Sequence, residues 1–584
     1  MSDKKFYMFS VLILIAAILL SYKYEDTEAS TNDTLQYFKK MNYILRIVDN
    51  VYVDEPDNEK MMEGAIEGLL EGLDPHSTYI PAEEQKEVEE DFKGEFGGIG
   101  IEFEIKRKFL TVISPIPDTP SDRLGLQPGD RIIRIDGKTA VGITTKEVFK
   151  RLKGVIGTKV NITIARTGVD KPLEFEINRA AIPVYSVIAK CMLDDKKTGY
   201  VSINRFAYKT ASELEEALQT LEGRGMTQLI LDLRGNPGGL MDQAIDVVDK
   251  FLDAGKMIVY TKGRFKDFDD EYFSTRQATH EKMPIIILID AGSASASEIV
   301  SGALQDHDRA LILGTKSFGK GLVQRPFDLG DGSVARITIA RYYTPTGRLI
   351  QRPYENGTES YIYDRFTAED DLTEKQIFKR DSIKKAQTFY TLRKKRVVYG
   401  GGGITPDSTI TYDLYSDLMT DLFRKRVFQD HAINFFNEHK NDNKKWKTDF
   451  EAFYNSFEVS DEMVKKFIDI AAKNKIYIVD NNSDVKKRKS TELVFPLEVL
   501  AKRETMYLMI PIPDKKEMKK DEVFVTKENF EKDMERIKLE IRYNIARQYF
   551  KDKSLYPRIK AMSDKFVKKA LTMFDEAKKL ADIK

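Results

Sequence analysis

Three serines alternate with alanines in Ser293-Ala-Ser-Ala-Ser297, just after the apolar run Pro284-Ile-Ile-Ile-Leu-Ile-Asp290. Lys320 follows between two glycines, in Ser317-Phe-Gly-Lys-Gly-Leu-Val-Gln324. A serine at a strand-to-helix turn exposes its hydroxyl beside amides that have no partner within the helix, which suits a nucleophile and its oxyanion. A lysine that returns to this turn from beyond the next apolar run, residues 310–314, can take the proton. Histidine is the rival base, and the chain has five. His307 stands twelve residues beyond Ser295 on the same expected helix, ~18 Å along its axis and out of hydrogen-bond range. His76, His280, His431 and His439 have no supporting motif around them. The pattern points to a Ser–Lys hydrolase, with Ser–His–Asp second.

Further segments complete a family pattern: Asp232-Leu-Arg-Gly-Asn-Pro-Gly-Gly239, Tyr343-Thr-Pro-Thr-Gly-Arg348 and Gly401-Gly-Gly-Ile-Thr-Pro-Asp407. With the serine and lysine segments they resemble the C-terminal processing, or tail-specific, serine peptidases, from about residue 73 to residue 407. The family's spacing of nucleophile and lysine singles out Ser295, 25 residues before Lys320. The resemblance implies that Gln324 orients the amine through its carbonyl oxygen without adding a charge. An aspartate there would favour the ammonium form and oppose the base. A free lysine, with a pKa near ~10.4, is protonated at neutral pH, so burial must disfavour its charge. The oxyanion hole is expected from the amide of Ala296 and a glycine amide of the Asn236–Gly239 turn, Gly238 ahead of Gly239. Glu298 and Asp306 match family positions and are expected to support the site from behind. Ser293 and Ser297 are expected to hydrogen-bond at the helix start. No cofactor and no metal enters this reading.

These residues need a scaffold of several domains, which 584 residues with 41% apolar content can supply. Apolar runs at 200–203, 229–233, 258–260, 285–289 and 311–313 alternate with helical stretches, the signature of a layered α/β sheet. The resemblance implies a crotonase/ClpP-like αβ core, placed here at 171–413, with residues 364–396 as a charged insertion. Ahead of it, Phe96-Gly-Gly-Ile-Gly-Ile-Glu-Phe103 is a glycine-rich turn entering a strand. The turn and strand of Leu126-Gln-Pro-Gly-Asp-Arg-Ile-Ile-Arg-Ile-Asp-Gly137 follow in order. Together they mark a PDZ domain at 93–170, whose groove adds a peptide strand to a sheet edge. The amides of Gly98, Ile99 and Gly100 are the candidates for holding a terminal carboxylate, with Ile99 and Ile101 shaping the apolar pocket. Residues 26–92 have helical periodicity; the resemblance suggests a homodimer contact there, and a cap over the next domain is the alternative. Residues 414–584 are expected as a charged, mostly helical extension, beyond the point where smaller relatives end, either a packing or dimer scaffold or a substrate-gating element.

Lys+Arg and Asp+Glu both total 93, so no net attraction to nucleic acid follows. The single cysteine, Cys191, excludes an intrachain disulfide and a cysteine-based zinc cluster. Lys4 and Lys5 precede an uncharged apolar run at 6–22 with no A-x-A-like cleavage site after it. That run is expected as an export signal or, by preference, a membrane anchor, placing residues beyond 25 in the periplasm or cell envelope. The expected activity is cleavage of proteins captured by their free C-termini. The alternative is a catalytically silent PDZ scaffold that captures tails.

Overall fold

The structure is a computed structural model. It describes residues 34–106, 108–275, 279–354, 361, 387–413, 415–439, 441–479, 522–550, 552 and 554–583. The expected signal or anchor at 6–22 lies outside the described residues, as does most of the insertion. Among the described residues no helix is long and apolar enough to cross a membrane. The chain divides into two compact units, Met1–Leu73 and Asp74–Lys584. The first holds a helix over 34–51 and a second, Asn58–Glu71, whose start is capped by the Asp57 carboxylate accepting from Lys60 N at 3.0 Å.

In the second unit, a ribbon of Glu95–Gly98 antiparallel to Ala180–Pro183 leads the chain into and out of the PDZ domain. Its sheet runs Ile101–Lys106, Phe109–Pro115, Arg131–Ile135, Lys159–Ala165 and Leu173–Asn178. Helix Thr145–Leu152 covers the core, started by a reciprocal cap between Thr144 and Glu147. The last strand corrects the expected boundary at 170. Leu173–Asn178 pairs along Lys159–Ala165, and its Ile177 is fully buried in the PDZ core, so the domain runs to Asn178.

The region expected as the peptidase core is a six-stranded sheet in chain order: β1 (Val187–Met192), β2 (Thr198–Ile203), β3 (Gln228–Asp232), β4 (Ile285–Ile289), β5 (Leu311–Gly314) and β6 (Ser408–Thr409). All neighbours are parallel except β1 and β2. The central strands read as continuous apolar runs because both faces are covered. One face carries Leu229, Leu231, Ile285 and Ile287 against α1 (Thr210–Glu222), α2 (Met241–Asp249) and α3 (Ala296–Asp306). The other carries Ile230, Ile286, Leu288, Leu311 and Leu313 against Phe566, Val567, Ala570, Phe574 and Ala577. Those five belong to helices Lys565–Leu571 and Phe574–Ala581 at the far end of the chain.

The expected division at 413/414 is therefore not a division of packing. The last two helices of the extension supply the second layer of the peptidase core, with burial worth ~1.5–3 kcal/mol for each large apolar side chain. The run at 258–260 also departs from expectation. It lies in Met257–Gly263 and joins a separate antiparallel sheet centred on Val334–Tyr343. The rest of the extension has an aromatic core around Phe428, Phe453 and Phe467, and a parallel pair of strands, Ile476–Val479 and Val523–Thr526.

Candidate active site

Strand β4 ends at a tight turn that opens into α3, and the three alternating serines part company there. Ser293 Oγ donates to Leu233 O at 2.8 Å, and Ser297 Oγ to Asn236 O at 3.0 Å; both serines are fully buried. They sew the serine turn to residues 233–236. Ser295 is the half-buried one, at the N-cap of α3 with φ 52° and ψ −112°. Such a backbone costs a non-glycine residue about 1–3 kcal/mol and persists only where the surroundings impose it. Gly238 helps to impose it. A methyl there would lie 2.8 Å from Ser295 Cβ and 3.0 Å from Ala296 N, so only glycine allows the two turns to touch.

Glu298, one turn into α3, ties Ser295 to the lysine loop. Its Oε2 accepts from Ser295 N and from Lys320 N, each at 2.9 Å. Its Oε1 accepts from Ser317 Oγ at 2.5 Å and Gly319 N at 2.7 Å. Two nitrogens on one oxygen cannot be farther apart than twice that distance, so Ser295 and Lys320 are held as neighbours. Burial pushes the Glu298 carboxyl up to about 7, against the pull of its four donors. Tyr342 Oη adds a second tie, lying 3.1 Å from Ser295 O and 2.6 Å from Lys320 O.

Lys320 Nζ donates to Gln324 Oε1 at 2.8 Å, and Gln324 Nε2 donates to His76 O. A backbone carbonyl only accepts, so this contact points the glutamine oxygen at the amine. Sequence reasoning passed over His76, which stands in a loop built by Asp74. The Asp74 carboxylate accepts from His76 N at 2.8 Å, Ser77 N at 2.9 Å and Ser77 Oγ at 2.6 Å. The loop feeds strand Thr78–Ile80, paired with Val334–Tyr343. The His76 ring meets Phe318 and Tyr361 edge-on, and its Nε2 lies 2.9 Å from Tyr361 Oη. The one available signal was the Asp-Pro-His-Ser segment itself, a tight turn at the head of the family resemblance.

The remaining site candidates are placed as follows. The first helical amide, Ala296 N, faces the Gly238 turn. The Gly238 amide donates to Asn236 Oδ1 at 2.9 Å, while Gly239 bridges to Phe206. Asp306 sits at the opposite end of α3 from Ser295. There it binds Arg348 and the Thr346 amide and hydroxyl, at 3.0 and 2.7 Å, which anchors the turn after Val334–Tyr343. In the PDZ domain, Gly98 belongs to the entry ribbon and Ile99 is buried in the core. Ile99 O accepts from Ser121 N at 3.0 Å, Gly100 O from Ile116 N at 2.9 Å, and Ile101 is half-buried. Strand Ile101–Lys106 is the edge of its sheet, with Phe103 against Phe149 of the neighbouring helix. His307 closes α3 and reaches Met257 O with Nε2, away from Ser295. Cys191 is buried in β1, where desolvation pushes its thiol up to about 12.

Comparison with known proteins matches residues 197–359 to Peptidase family S41, 111–166 to a PDZ domain and 11–84 to the N-terminal domain of the activating protease CtpB. Residues 418–493 match a family of unknown function. The chain is 44% identical over 354 residues to the carboxy-terminal-processing protease of Bartonella bacilliformis, covering 60% of this chain and 80% of that one. It is 35% identical over 325 residues to the carboxy-terminal processing protease CtpA of Bacillus subtilis, covering 56% and 68%. A solved photosystem II D1 C-terminal processing protease aligns at 28% identity over 53% of this chain and 83% of its own, with a TM-score of 0.31.

Proposed function

Because this chain belongs to the carboxy-terminal processing proteases of peptidase family S41, we propose that it is an endopeptidase that captures free protein C-termini in its PDZ groove and cleaves by a Ser–Lys mechanism. Ser295 Oγ attacks the peptide carbonyl carbon and its proton passes to Lys320 Nζ. The oxyanion is met by the amide of Ala296 and by a glycine amide of the Asn236–Gly239 turn. Gly238 joins by giving up Asn236 Oδ1; Gly239 is the second donor available. Collapse breaks the C–N bond, the proton moves on to the leaving amine, and water then releases the acyl group from Ser295. Gln324 Oε1 keeps the amine in place throughout.

The observation that carries this reading is the single Glu298 oxygen shared by the Ser295 and Lys320 amides. It supports a nucleophile and a base held by backbone atoms, independent of the side chains that must move protons. The test is cleavage of an unfolded protein bearing a free or an amidated C-terminus, by the chain and by its Ser295→Ala variant. Ser295-dependent cutting that amidation suppresses is expected. Cutting by Ser295→Ala rules out this nucleophile, and binding without any cutting favours the silent scaffold. Lys4, Lys5 and the apolar run at 6–22 support export with a membrane tether, which fractionation of expressing cells tests.

A further inference from the structure

Strand Ile101–Lys106 alternates its side chains between two faces. Ile101, Phe103 and Ile105 pack on the PDZ core, leaving Glu102, Glu104 and Lys106 on the other side. Each of these three meets an opposite charge from the extension. Arg547 reaches Glu102 at 3.2 Å, Arg426 pairs with Glu104, and Asp430 with Lys106. Arg426, Asp430, Ile433 and Asn437 recur at helical spacing, so a single face of helix Val427–His439 and the residue before it lies on the domain. Ile433 and Asn437 continue the contact at the Gly129 turn. A methyl added to Gly129 would be 3.1 Å from Ile433 and 3.5 Å from Asn437.

This contact specifies a position rather than merely adhering. Glu104 is 3% exposed, and among the described residues its Oε1 has no hydrogen-bond partner, so the pair with Arg426 decides where it can sit. A slip of two residues along the strand would set Lys106 against Arg426, cation on cation. The far end of the extension is equally committed. Its last helices cover the peptidase sheet, and Asp564 binds Arg234 at 2.9 Å beside the Asn236–Gly239 turn.

We propose that the extension is a strut that holds the PDZ groove at a set distance from Ser295, and so determines how far from its C-terminus a captured protein is cut. This rests on the reading that the PDZ edge strand receives the tail. An extended tail advances ~3.3 Å per residue, so every ~3.3 Å of play between groove and nucleophile moves the cut by one bond. A fixed groove confines the first cut to a few neighbouring bonds.

The test uses the full chain and an unfolded substrate with a free C-terminus, with first-cut positions read by mass spectrometry. Arg426→Glu and Glu104→Arg are each expected to lose the narrow distribution of cuts, and the two combined to restore it. Asp430→Asn, an isosteric change, is expected to broaden the cuts in the same sense and serves where a charge reversal fails to fold. Unchanged cut positions in the single variants, or a combined variant that cuts as broadly as either, overturn the strut. Equal cutting of free and amidated substrate by the wild type overturns tail capture itself. Tail dependence that survives in every variant while the cuts stay put overturns only the strut.

Discussion

Glu298 and Glu104 are both buried carboxylates, 0% and 3% exposed, and each joins two distant stretches of chain, but they are held in opposite ways. Glu298 accepts four neutral donors, three of them backbone amides, and both of its oxygens are used. Glu104 pairs with a flexible arginine, itself about a third exposed, and among the described residues its other oxygen has no hydrogen-bond partner. Backbone amides are fixed by the fold and indifferent to salt, so the backbones of Ser295 and Lys320 are held in place in advance. A guanidinium on a long side chain fixes position only while its partner is present. The same chain thus builds its chemistry on neutral hydrogen bonds and its domain placement on charge.

The largest effect is expected at the reacting groups. Lys320→Ala and Ser295→Ala should each lower kcat by about 10⁴ or more while leaving tail binding intact. Wild-type-like turnover by Lys320→Ala would remove the Ser–Lys mechanism. Glu298→Gln sharpens the comparison, because its NH₂ faces two of the four donors. At ~1–3 kcal/mol for each donor left without an acceptor, the loss of folding stability is roughly 2–6 kcal/mol, measurable by denaturant titration.

The same variant tests the raised carboxyl. Burial moves Glu298 from its ordinary 4.5 to about 7. Between those values the unfolded chain has released this proton and the folded chain retains it. Wild-type stability therefore falls relative to Glu298→Gln as pH rises from 4.5 to 7. A difference that stays constant across that window would mean the carboxylate is ionised throughout.

Smaller effects are expected on the charged side. Gly129→Ala places a side chain at φ +88°, against Ile433, at a cost of about 1–2 kcal/mol in thermal unfolding. No change in Tm would show that the PDZ contact yields there freely. Glu102→Ala removes a pair with both side chains about a quarter to a third exposed, worth below ~1 kcal/mol and fading with salt. A loss as large as that for Glu298→Gln would erase the distinction between the two regions.

Much of the site was legible because its parts are local. The apolar run before the serines forms β4, and Gln324, in strand Leu322–Asp328, follows Lys320 closely enough to meet its amine. Ser293 and Ser297, expected to bond at the helix start, instead donate to Leu233 O and Asn236 O some sixty positions back. His76 was passed over because its contribution is a backbone carbonyl offered to Gln324 across 248 positions, which no side-chain motif announces. In the PDZ domain the turn-and-strand segments at 96–103 and 126–137 were legible, while strand Phe109–Pro115, which follows a short turn, was not named. Leu173–Asn178 was missed because alternation in a final edge strand looks like that of any exposed segment.

The apolar periodicities and turn signals determined by themselves a layered α/β sheet and a serine turn near a glycine-flanked lysine, and the order of motifs, through its family resemblance, added the PDZ domain and the peptidase core. They do so because helix starts, tight turns and buried strands are written in residues a few positions apart. Only the tertiary structure decided that the extension is not an appendage. Phe566 and Phe574 are ordinary apolar positions on amphipathic helices until β4 and β5 present the face they cover. Arg426 and Asp430 are ordinary surface charges until Glu104 and Lys106 are set opposite them. Pairing across several hundred residues depends on how whole elements pack, and no local pattern encodes its partner.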